Sequence, residues 1–141
     1  MSETITAPTP SRGTQALLLG TLAVATIAVY SRSMFCDFVY YDDGLYVFDN
    51  EAVRNGITIA GLKGIFVTGA TGTWQPIALL SHMIDCQFFG LNAWGHHLSA
   101  VLIHAANAVL VCVALTQMTA RFYPSLAVAA MFALHPAHVE S

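Results

Sequence analysis

The sequence predicts an all-α integral membrane protein with about three transmembrane helices and a long, structured extracytoplasmic loop that carries short amphipathic helices. Of its 141 residues, 56% are hydrophobic and only 9% are charged. A soluble domain typically has about 25% charged residues, so this chain has too few to cover a compact globule. The bilayer is therefore the expected solvent, and membrane lipid an expected partner. A net charge of only −3 and scattered basic residues argue against a nucleic acid partner.

The first transmembrane helix is predicted over residues 15–31, after a cytoplasmic amino-terminal tail formed by residues 1–14. No charged residue lies between Arg12 and Arg32, and the apolar run just reaches the ~17–20 residues that a spanning helix needs. A cleaved signal peptide is the alternative interpretation. It is disfavoured because the chain starts only weakly positive and the run ends in a poor cleavage site.

Two further transmembrane helices are predicted over residues 96–118 and 124–141, joined by a cytoplasmic turn at residues 119–123. The first of them is long enough to span and contains no charged residue. The second has an apolar run of only about ten residues, which is too short to cross a bilayer alone. Either this helix continues through His135 and His138, or those side chains lie at membrane depth in a polar cavity.

Arginines near the helix ends predict the orientation. Arg12 and Arg121 lie in short flanks, and the positive-inside rule places both in the cytoplasm, although Arg32 opposes this assignment. Residues 32–95 then form the extracytoplasmic loop. We expect a multi-pass protein of the cytoplasmic membrane if the source is bacterial, or of the endoplasmic reticulum if it is eukaryotic.

Helix-capping signals indicate that the loop is structured. Asp49 or Asn50 can cap a short helix that Gly56 ends in the left-handed conformation. Thr58 can cap a second helix that runs to Phe66.

A third helical pattern in the loop covers residues 75–89. Its apolar stripe comprises Ile77, Leu80, Ile84 and Phe88, whereas His82, Asp85 and Cys86 fall on another side. Such a helix either lies along the membrane surface or packs on the transmembrane helices. We interpret His82 and Asp85 as structural polar groups that orient this helix.

The three cysteines form neither a C-x-x-C pair nor a zinc-ligand spacing. Cys112 lies in an apolar run and is expected to pack there as a small hydrophobic side chain. Cys36 and Cys86 both belong to the predicted outside loop, where a disulfide between them is one of two open alternatives.

Asp42 and Asp43 lie in the loop, a few residues beyond the first predicted transmembrane helix. A carboxylate here can act as a general base that accepts a proton from an attacking hydroxyl. Two adjacent carboxylates can instead hold a divalent cation through their oxygens. The structural alternative is a solvated acidic turn before Gly44, and the residues alone leave these interpretations open.

A second polar cluster comprises His135, His138 and Glu140, at the outer end of the third predicted helix. Two imidazoles and a carboxylate can bind a transition metal or, through a cationic or donating imidazole, a phosphate group. The spacing H-x-x-H-x-E is not a zincin signature, and a helix cap is the structural alternative.

Two histidines, His97 and His104, share one face of the second predicted transmembrane helix. A histidine within a membrane span is a functional candidate. An interhelical hydrogen bond explains these two equally well, so no role is assigned to them.

Four strings that occur in order carry a resemblance to a known family. They are Phe38-Val-Tyr-Tyr-Asp-Asp-Gly-Leu-Tyr-Val, Trp74-Gln-Pro-Ile-x-x-Leu-Ser-His-Met-x-Asp-Cys-Gln-x-Phe-Gly-Leu-Asn, Gly95-His-His-Leu and Ala133-Leu-His-Pro-x-His-Val-Glu-Ser. Over residues 15–141 the chain resembles the amino-terminal part of the membrane-embedded, tetratricopeptide-repeat O-mannosyltransferase-like proteins. These belong to the polytopic glycosyltransferases that use lipid-linked sugars.

This resemblance implies the transfer of a sugar, expected to be mannose, from a polyprenyl-phosphate donor to a Ser or Thr hydroxyl of a protein acceptor, with inversion. It implies that Asp42 or Asp43 supplies the catalytic base. It further implies that His135, His138 and Glu140 bind the lipid phosphate or shape the donor pocket. No metal ion is assigned to the site, and a divalent cation stays an open alternative.

The length of the chain departs from this family. Related proteins continue with many more helices and a tetratricopeptide region, whereas this sequence stops at Ser141. We therefore expect a fragment that cannot catalyse transfer by itself. The competing hypothesis is a non-enzymatic membrane protein, a metal-binding or assembly module that uses His135, His138 and Glu140.

Overall fold

The computed structural model describes residues 10–39, 43–67 and 74–135, and within these ranges all regular structure is helical, as predicted. The elements in chain order are α1 (Arg12–Tyr30), a 3-10 turn (Ser33–Phe35), a π-helical turn (Gly44–Phe48), α2 (Glu51–Arg54), α3 (Ile59–Val67), α4 (Pro76–Phe89), α5 (Ala93–Thr119) and α6 (Phe122–Leu134). The chain divides into two compact units. The bundle unit comprises Met1–Ser31 with Ala100–Ser141, and the loop unit comprises Arg32–Ser99.

The bundle unit contains α1, most of α5, and α6. Helix α1 begins after Ser11, whose side-chain oxygen accepts a hydrogen bond from the Thr14 amide at 3.2 Å. The buried core of the unit consists of Leu22, Ala108, Cys112, Phe122, Ala129 and Ala133. Several of these side chains are small, and small residues allow helices to approach closely. Cys112 is one of the core residues, as expected.

Among the residues that the structure describes, two helices are long and apolar enough to cross a membrane. One is the segment Arg12–Phe35 with 24 residues, and the other is α5 with 27 residues. Helix α6 has only 13 residues, fewer than the roughly 17–20 that a span requires. The helices predicted near residues 15–31 and 96–118 are therefore confirmed as helices, while the count of three spans stays a prediction.

Helix α6 ends at Leu134. The backbone of His135 is extended, with φ −70° and ψ 130°. The physical reason is Pro136, since the ring of a proline disfavours helical geometry in the residue before it. The alternative in which the helix continues through His135 is thus wrong, and His138 lies outside the described residues.

The loop unit has the short capped helices that the sequence predicts. The side chain of Asn50 accepts a hydrogen bond from the Ala52 amide at 3.2 Å, and Gly56 adopts a φ of +70° directly after α2. Thr58 Oγ1 accepts a hydrogen bond from the Gly61 amide at 3.0 Å at the start of α3. The core of the unit consists of Val47, Val53, Ile65, Leu79, Met83 and Cys86.

Helix α4 forms where predicted, but much of its predicted apolar stripe lies outside the core of the loop unit. Ile77 is 78% exposed and Phe88 is 76% exposed. The buried side of α4 instead carries Leu79, Met83 and Asp85 together with Cys86. The polar side chains that the sequence sets apart from the stripe are therefore among the groups that face the interior.

The cysteines of the loop unit are free thiols, so the disulfide alternative for Cys36 and Cys86 is wrong. Cys36 is exposed and Cys86 is buried. Burial raises the pKa of the Cys86 thiol, and the neighbouring carboxylate of Asp85 raises it further. This thiol is therefore protonated at neutral pH and is not an activated nucleophile.

Maleimide labelling of the folded protein should consequently modify Cys36 and spare Cys86 and Cys112, which are both buried. Intact mass spectrometry after brief labelling in detergent should show a single adduct, and Cys36→Ser should remove it. Two or more adducts at the same time point would contradict the burial of the other thiols.

Gly61 permits close packing in the loop unit. A Cβ atom at this position would lie 2.7 Å from the carbonyl oxygen of Ala52 in α2 and 3.0 Å from Cε of Met83 in α4. The methionine tip can move, but the backbone oxygen cannot without shifting α2. Gly64 of the same helix has no such restriction, since its nearest neighbour would be Ala52 Cβ at 3.7 Å.

We expect Gly61→Ala to lower the free energy of unfolding by about 1–3 kcal/mol, because the added methyl overpacks the α2–α3 contact. Gly64→Ala is the matched control. It should be neutral or stabilise by up to about 1 kcal/mol, because alanine has the higher helix propensity. Denaturant unfolding followed by circular dichroism measures both, and equal effects of the two substitutions would contradict the close packing.

Candidate functional site

Asp43 directly precedes the π-helical turn Gly44–Phe48. Its carboxylate oxygen Oδ2 accepts a hydrogen bond from the backbone amide of Val39 at 2.7 Å, and the residue is half-buried. The carboxylate is thus tied back to the segment that enters the turn. Asp42, the other predicted catalytic residue, lies outside the described residues.

A cluster of three polar side chains, two of them buried and one half-buried, lies in the loop unit. His82 and Asp85 lie three positions apart on α4 and therefore share a face of that helix, while His96 lies in the first turn of α5. One nitrogen or oxygen from each of the three lies within 4.8 Å of the others. Asp85 is only 6% exposed and His96 only 4%.

The hydrogen bonding of His96 fixes its tautomer. Its Nε2 lies 3.0 Å from the carbonyl oxygen of Gly90, and because a carbonyl only accepts hydrogen bonds, Nε2 carries the proton. Its Nδ1 lies 3.8 Å from Oδ2 of Asp85, which is too far for a hydrogen bond. Nδ1 of His96 and Nδ1 of His82 are both buried without a hydrogen-bond partner among the described residues.

Aromatic rings surround this cluster. The ring of His82 stacks on that of His96 with centroids 5.8 Å apart. Phe38 contacts His96 edge-on at 5.3 Å and also lies 6.0 Å from the ring of His97. Since Phe38 belongs to the segment that leads to Asp43, the same stretch of chain covers the histidines and positions the carboxylate.

Electrostatics links Asp43 to the histidine cluster. Burial lowers the pKa of His82, and the neighbouring His96 lowers it further, whereas Asp85 and Asp43 oppose the shift. At neutral pH, the neutral form of the His82 imidazole is thus favoured in the folded protein. The unit therefore holds, within one local region, one predicted catalytic residue and a set of side chains able to hold a metal ion.

The second predicted cluster is described only at His135. This residue is exposed, and its backbone carbonyl accepts a hydrogen bond from the Tyr30 hydroxyl at 3.2 Å. His138 and Glu140 lie outside the described residues, so the assigned substrate-binding role of the three stays a prediction. His135 belongs to the bundle unit and Asp43 to the loop unit.

His104 has a packing role in the bundle unit. Its Nε2 lies 3.0 Å from the carbonyl oxygen of Ala133, which bridges α5 and α6. The Tyr30 ring contacts it edge-on at 5.1 Å. Of the two interpretations that the sequence leaves open, the interhelical hydrogen bond is the one that the structure contains.

Sequence patterns do not identify His96 as a partner of His82 and Asp85. The residue stands in the string Gly95-His-His-Leu, which carries the family resemblance but no assigned chemistry. The feature of the sequence that could have identified His96 is the short connection between α4 and α5. It brings the first turn of α5, which carries His96, near the carboxy-terminal part of α4.

Acidification should destabilise the protein through His82. Because its folded-state pKa is below the 6.5 of a free histidine, the unfolded chain binds the proton more readily. The contribution of neutral His82 to the free energy of unfolding should therefore be fully present above about pH 6.5 and should be lost as the pH drops below that value. Denaturant unfolding across about pH 7.5 to 5.5, in a chelating buffer, measures this slope.

In His82→Gln, which keeps a polar side chain without a titratable group, the slope should be smaller. Gly64→Ala, which changes no titratable group, is the control substitution, and its slope should match that of the unaltered protein. Equal slopes in all three proteins would show that His82 is not the source of the pH dependence.

Over the described residues, fold and site define a helical protein with two helices long and apolar enough to cross a membrane and a loop unit that holds a carboxylate near a cluster of two histidines and an aspartate. No family model matches the chain, and no solved structure matches it significantly. Curated proteins do match. The chain is 32% identical over 132 residues to protein O-mannosyl-transferase Tmtc1 of Drosophila melanogaster, which covers 88% of this chain and 15% of that protein.

Two mammalian proteins give the same result. The chain is 30% identical over 122 residues to protein O-mannosyl-transferase TMTC2 of Mus musculus and, likewise, of Homo sapiens, with 82% of this chain and 14% of each relative covered. The resemblance carried by the sequence motifs is thereby confirmed: the chain is similar to a segment of the TMTC-type protein O-mannosyl-transferases. It spans only 14–15% of the length of these relatives.

Proposed function

We propose that this chain is part of a membrane glycosyltransferase that transfers mannose from a polyprenyl-phosphate donor to Ser or Thr hydroxyls of proteins. The observation that carries the proposal is the 32% identity, over 88% of the chain, with a protein named protein O-mannosyl-transferase. Because the chain spans only 15% of that relative, the activity is proposed for the protein that the native gene encodes.

The carboxylates of Asp42 and Asp43 are proposed to supply the catalytic base. A hydroxyl is a weak nucleophile unless a carboxylate accepts its proton as the new bond forms. The anchoring of Asp43 supports this role, since the 2.7 Å hydrogen bond from the Val39 amide restricts where its carboxylate can lie. Fixed placement of a base reduces the entropy that the reaction must otherwise lose.

The reaction is proposed to be a single displacement. The acceptor oxygen bonds to the anomeric carbon of the sugar while the bond from that carbon to the phosphate oxygen breaks. The electron pair of the broken bond leaves with the polyprenyl phosphate, and the proton of the hydroxyl goes to the carboxylate. Attack opposite to the leaving group inverts the anomeric carbon.

The departing phosphate needs hydrogen-bond donors or cations. We assign donation to the imidazoles of His135 and His138, and the shaping of the donor pocket to Glu140. The polyprenyl tail requires a hydrocarbon environment, which α1 and α5 have the length and composition to share. The acceptor would then be modified on the extracytoplasmic side of the membrane.

Asp43→Asn in the native gene product should reduce sugar transfer by about 10²–10⁴-fold, the usual contribution of a general base. Membranes from cells that express the gene are supplied with polyprenyl-phosphate [³H]mannose, and label in protein is counted. Asp42→Asn is tested in parallel. Asp49→Asn is the matched control, because it removes an exposed carboxylate of the same segment and should leave transfer unchanged.

Membrane insertion and protein abundance are compared for all variants, so that a misfolded protein is not scored as an inactive one. Unchanged transfer in both Asp42→Asn and Asp43→Asn would show that neither residue is the catalytic base. If the unaltered gene product transfers no label from the polyprenyl-phosphate mannose donor, the proposed donor is contradicted.

A further inference from the structure

We infer that His82, Asp85 and His96 bind a divalent transition-metal ion of the zinc type. Neither predicted catalytic residue is one of the three ligands, and the inference does not depend on the proposed transferase activity. The inference rests on the placement of three ligand atoms, on the orientation of His96 and on the burial of Asp85 and His96.

The spacing of the ligand atoms suits one ion. They lie within 4.8 Å of one another, while zinc–nitrogen and zinc–oxygen bonds of about 2.0–2.2 Å place tetrahedral ligand atoms about 3.3–3.6 Å apart. The largest separation exceeds this range, so binding requires the three side chains to rotate toward one another; two of them share a face of α4 and the third lies in the first turn of α5.

The orientation of His96 prepares it to bind a cation. Donation from Nε2 to the Gly90 carbonyl oxygen at 3.0 Å leaves the lone pair on Nδ1, and that lone pair faces the Asp85 carboxylate at 3.8 Å. Two electron-rich groups that face each other away from water need positive charge between them. A hydrogen bond from the distal nitrogen of a metal-binding histidine to a carbonyl is the usual supporting interaction in metal sites.

A proton on Nδ1 of His96 is the competing source of positive charge. The resulting ion pair would be expected at about 2.7–2.9 Å, whereas the observed separation is 3.8 Å. It would also leave Nδ1 of His82, which is buried without a hydrogen-bond partner among the described residues, unsatisfied. A metal ion between the three side chains would neutralise the carboxylate and bind Nδ1 of His96 together with a ring nitrogen of His82.

The ligand set defines the class of metal. Two imidazoles with one carboxylate suit zinc and neighbouring transition metals, whereas magnesium and calcium prefer sites made of oxygen ligands. Three protein ligands leave one position of a tetrahedral ion for water or another small ligand, which is the arrangement of zinc sites with an open position.

Cobalt titration tests the site directly. The whole chain, purified in detergent micelles and stripped with a chelator, is titrated with Co²⁺, and visible d–d absorption is recorded. We expect one Co²⁺ per chain, displacement of the absorption by Zn²⁺, no displacement by excess Mg²⁺ or Ca²⁺, and a higher unfolding temperature with Zn²⁺. Failure of the folded chain to bind either Co²⁺ or Zn²⁺ stoichiometrically would overturn the inference.

Variants locate the ion. His82→Gln, His96→Gln and Asp85→Asn should each weaken Co²⁺ binding by at least tenfold, with helical circular dichroism retained as the check on folding. His97→Gln is the matched control, because His97 adjoins His96 in α5 but is not one of the three ligands. Binding that survives all three substitutions, or that His135→Gln abolishes instead, would place the metal elsewhere and overturn the assignment.

Discussion

The burial of the Asp85 carboxylate is the constraint on which the loop unit depends. A charge removed from water costs several kcal/mol unless it is compensated, so this carboxylate requires partners at its own depth. Helix α4 supplies His82 on the same face, and the first turn of α5 supplies His96. Phe38 closes over the imidazoles, and the chain then reaches Asp43 within a few residues. The segment that packs on His96 through Phe38 also holds the proposed base, through the hydrogen bond from the Val39 amide to Asp43.

The bundle unit meets its polar requirements in a different way. Thr26 and Thr116 donate their hydroxyl protons to carbonyl oxygens one turn earlier in their own helices, at 2.8 Å and 2.7 Å. His104 reaches the last turn of α6. In a hydrocarbon environment, polar groups must form their hydrogen bonds within the protein because no water is available. One chain therefore combines helices that satisfy their polar side chains locally with a unit that concentrates them in a cluster.

Local signals in the sequence predict the helices well, whereas the way in which the helices pack is not predictable from those signals. Asn50, Gly56 and Thr58 act on their own backbone neighbourhoods, so the helices they bound are predictable. The orientation of α4 is not, because Leu79 and Met83 form a second apolar stripe beside the predicted one, and periodicity cannot choose between two apolar faces. The same distinction applies to the site. Asp43 is recognisable from its sequence motif, whereas the place of His96 in the cluster depends on tertiary packing and is not predictable from local sequence.

The short connection between α4 and α5 has a consequence for the order of folding. Asp85 and His96 are joined through one tight turn at Gly90, so bringing them together closes only a small loop and loses little chain entropy. Contacts of such low sequence separation form early. The cluster can therefore assemble before contacts of greater sequence separation form in the unit, such as the contact of Phe38 with His96.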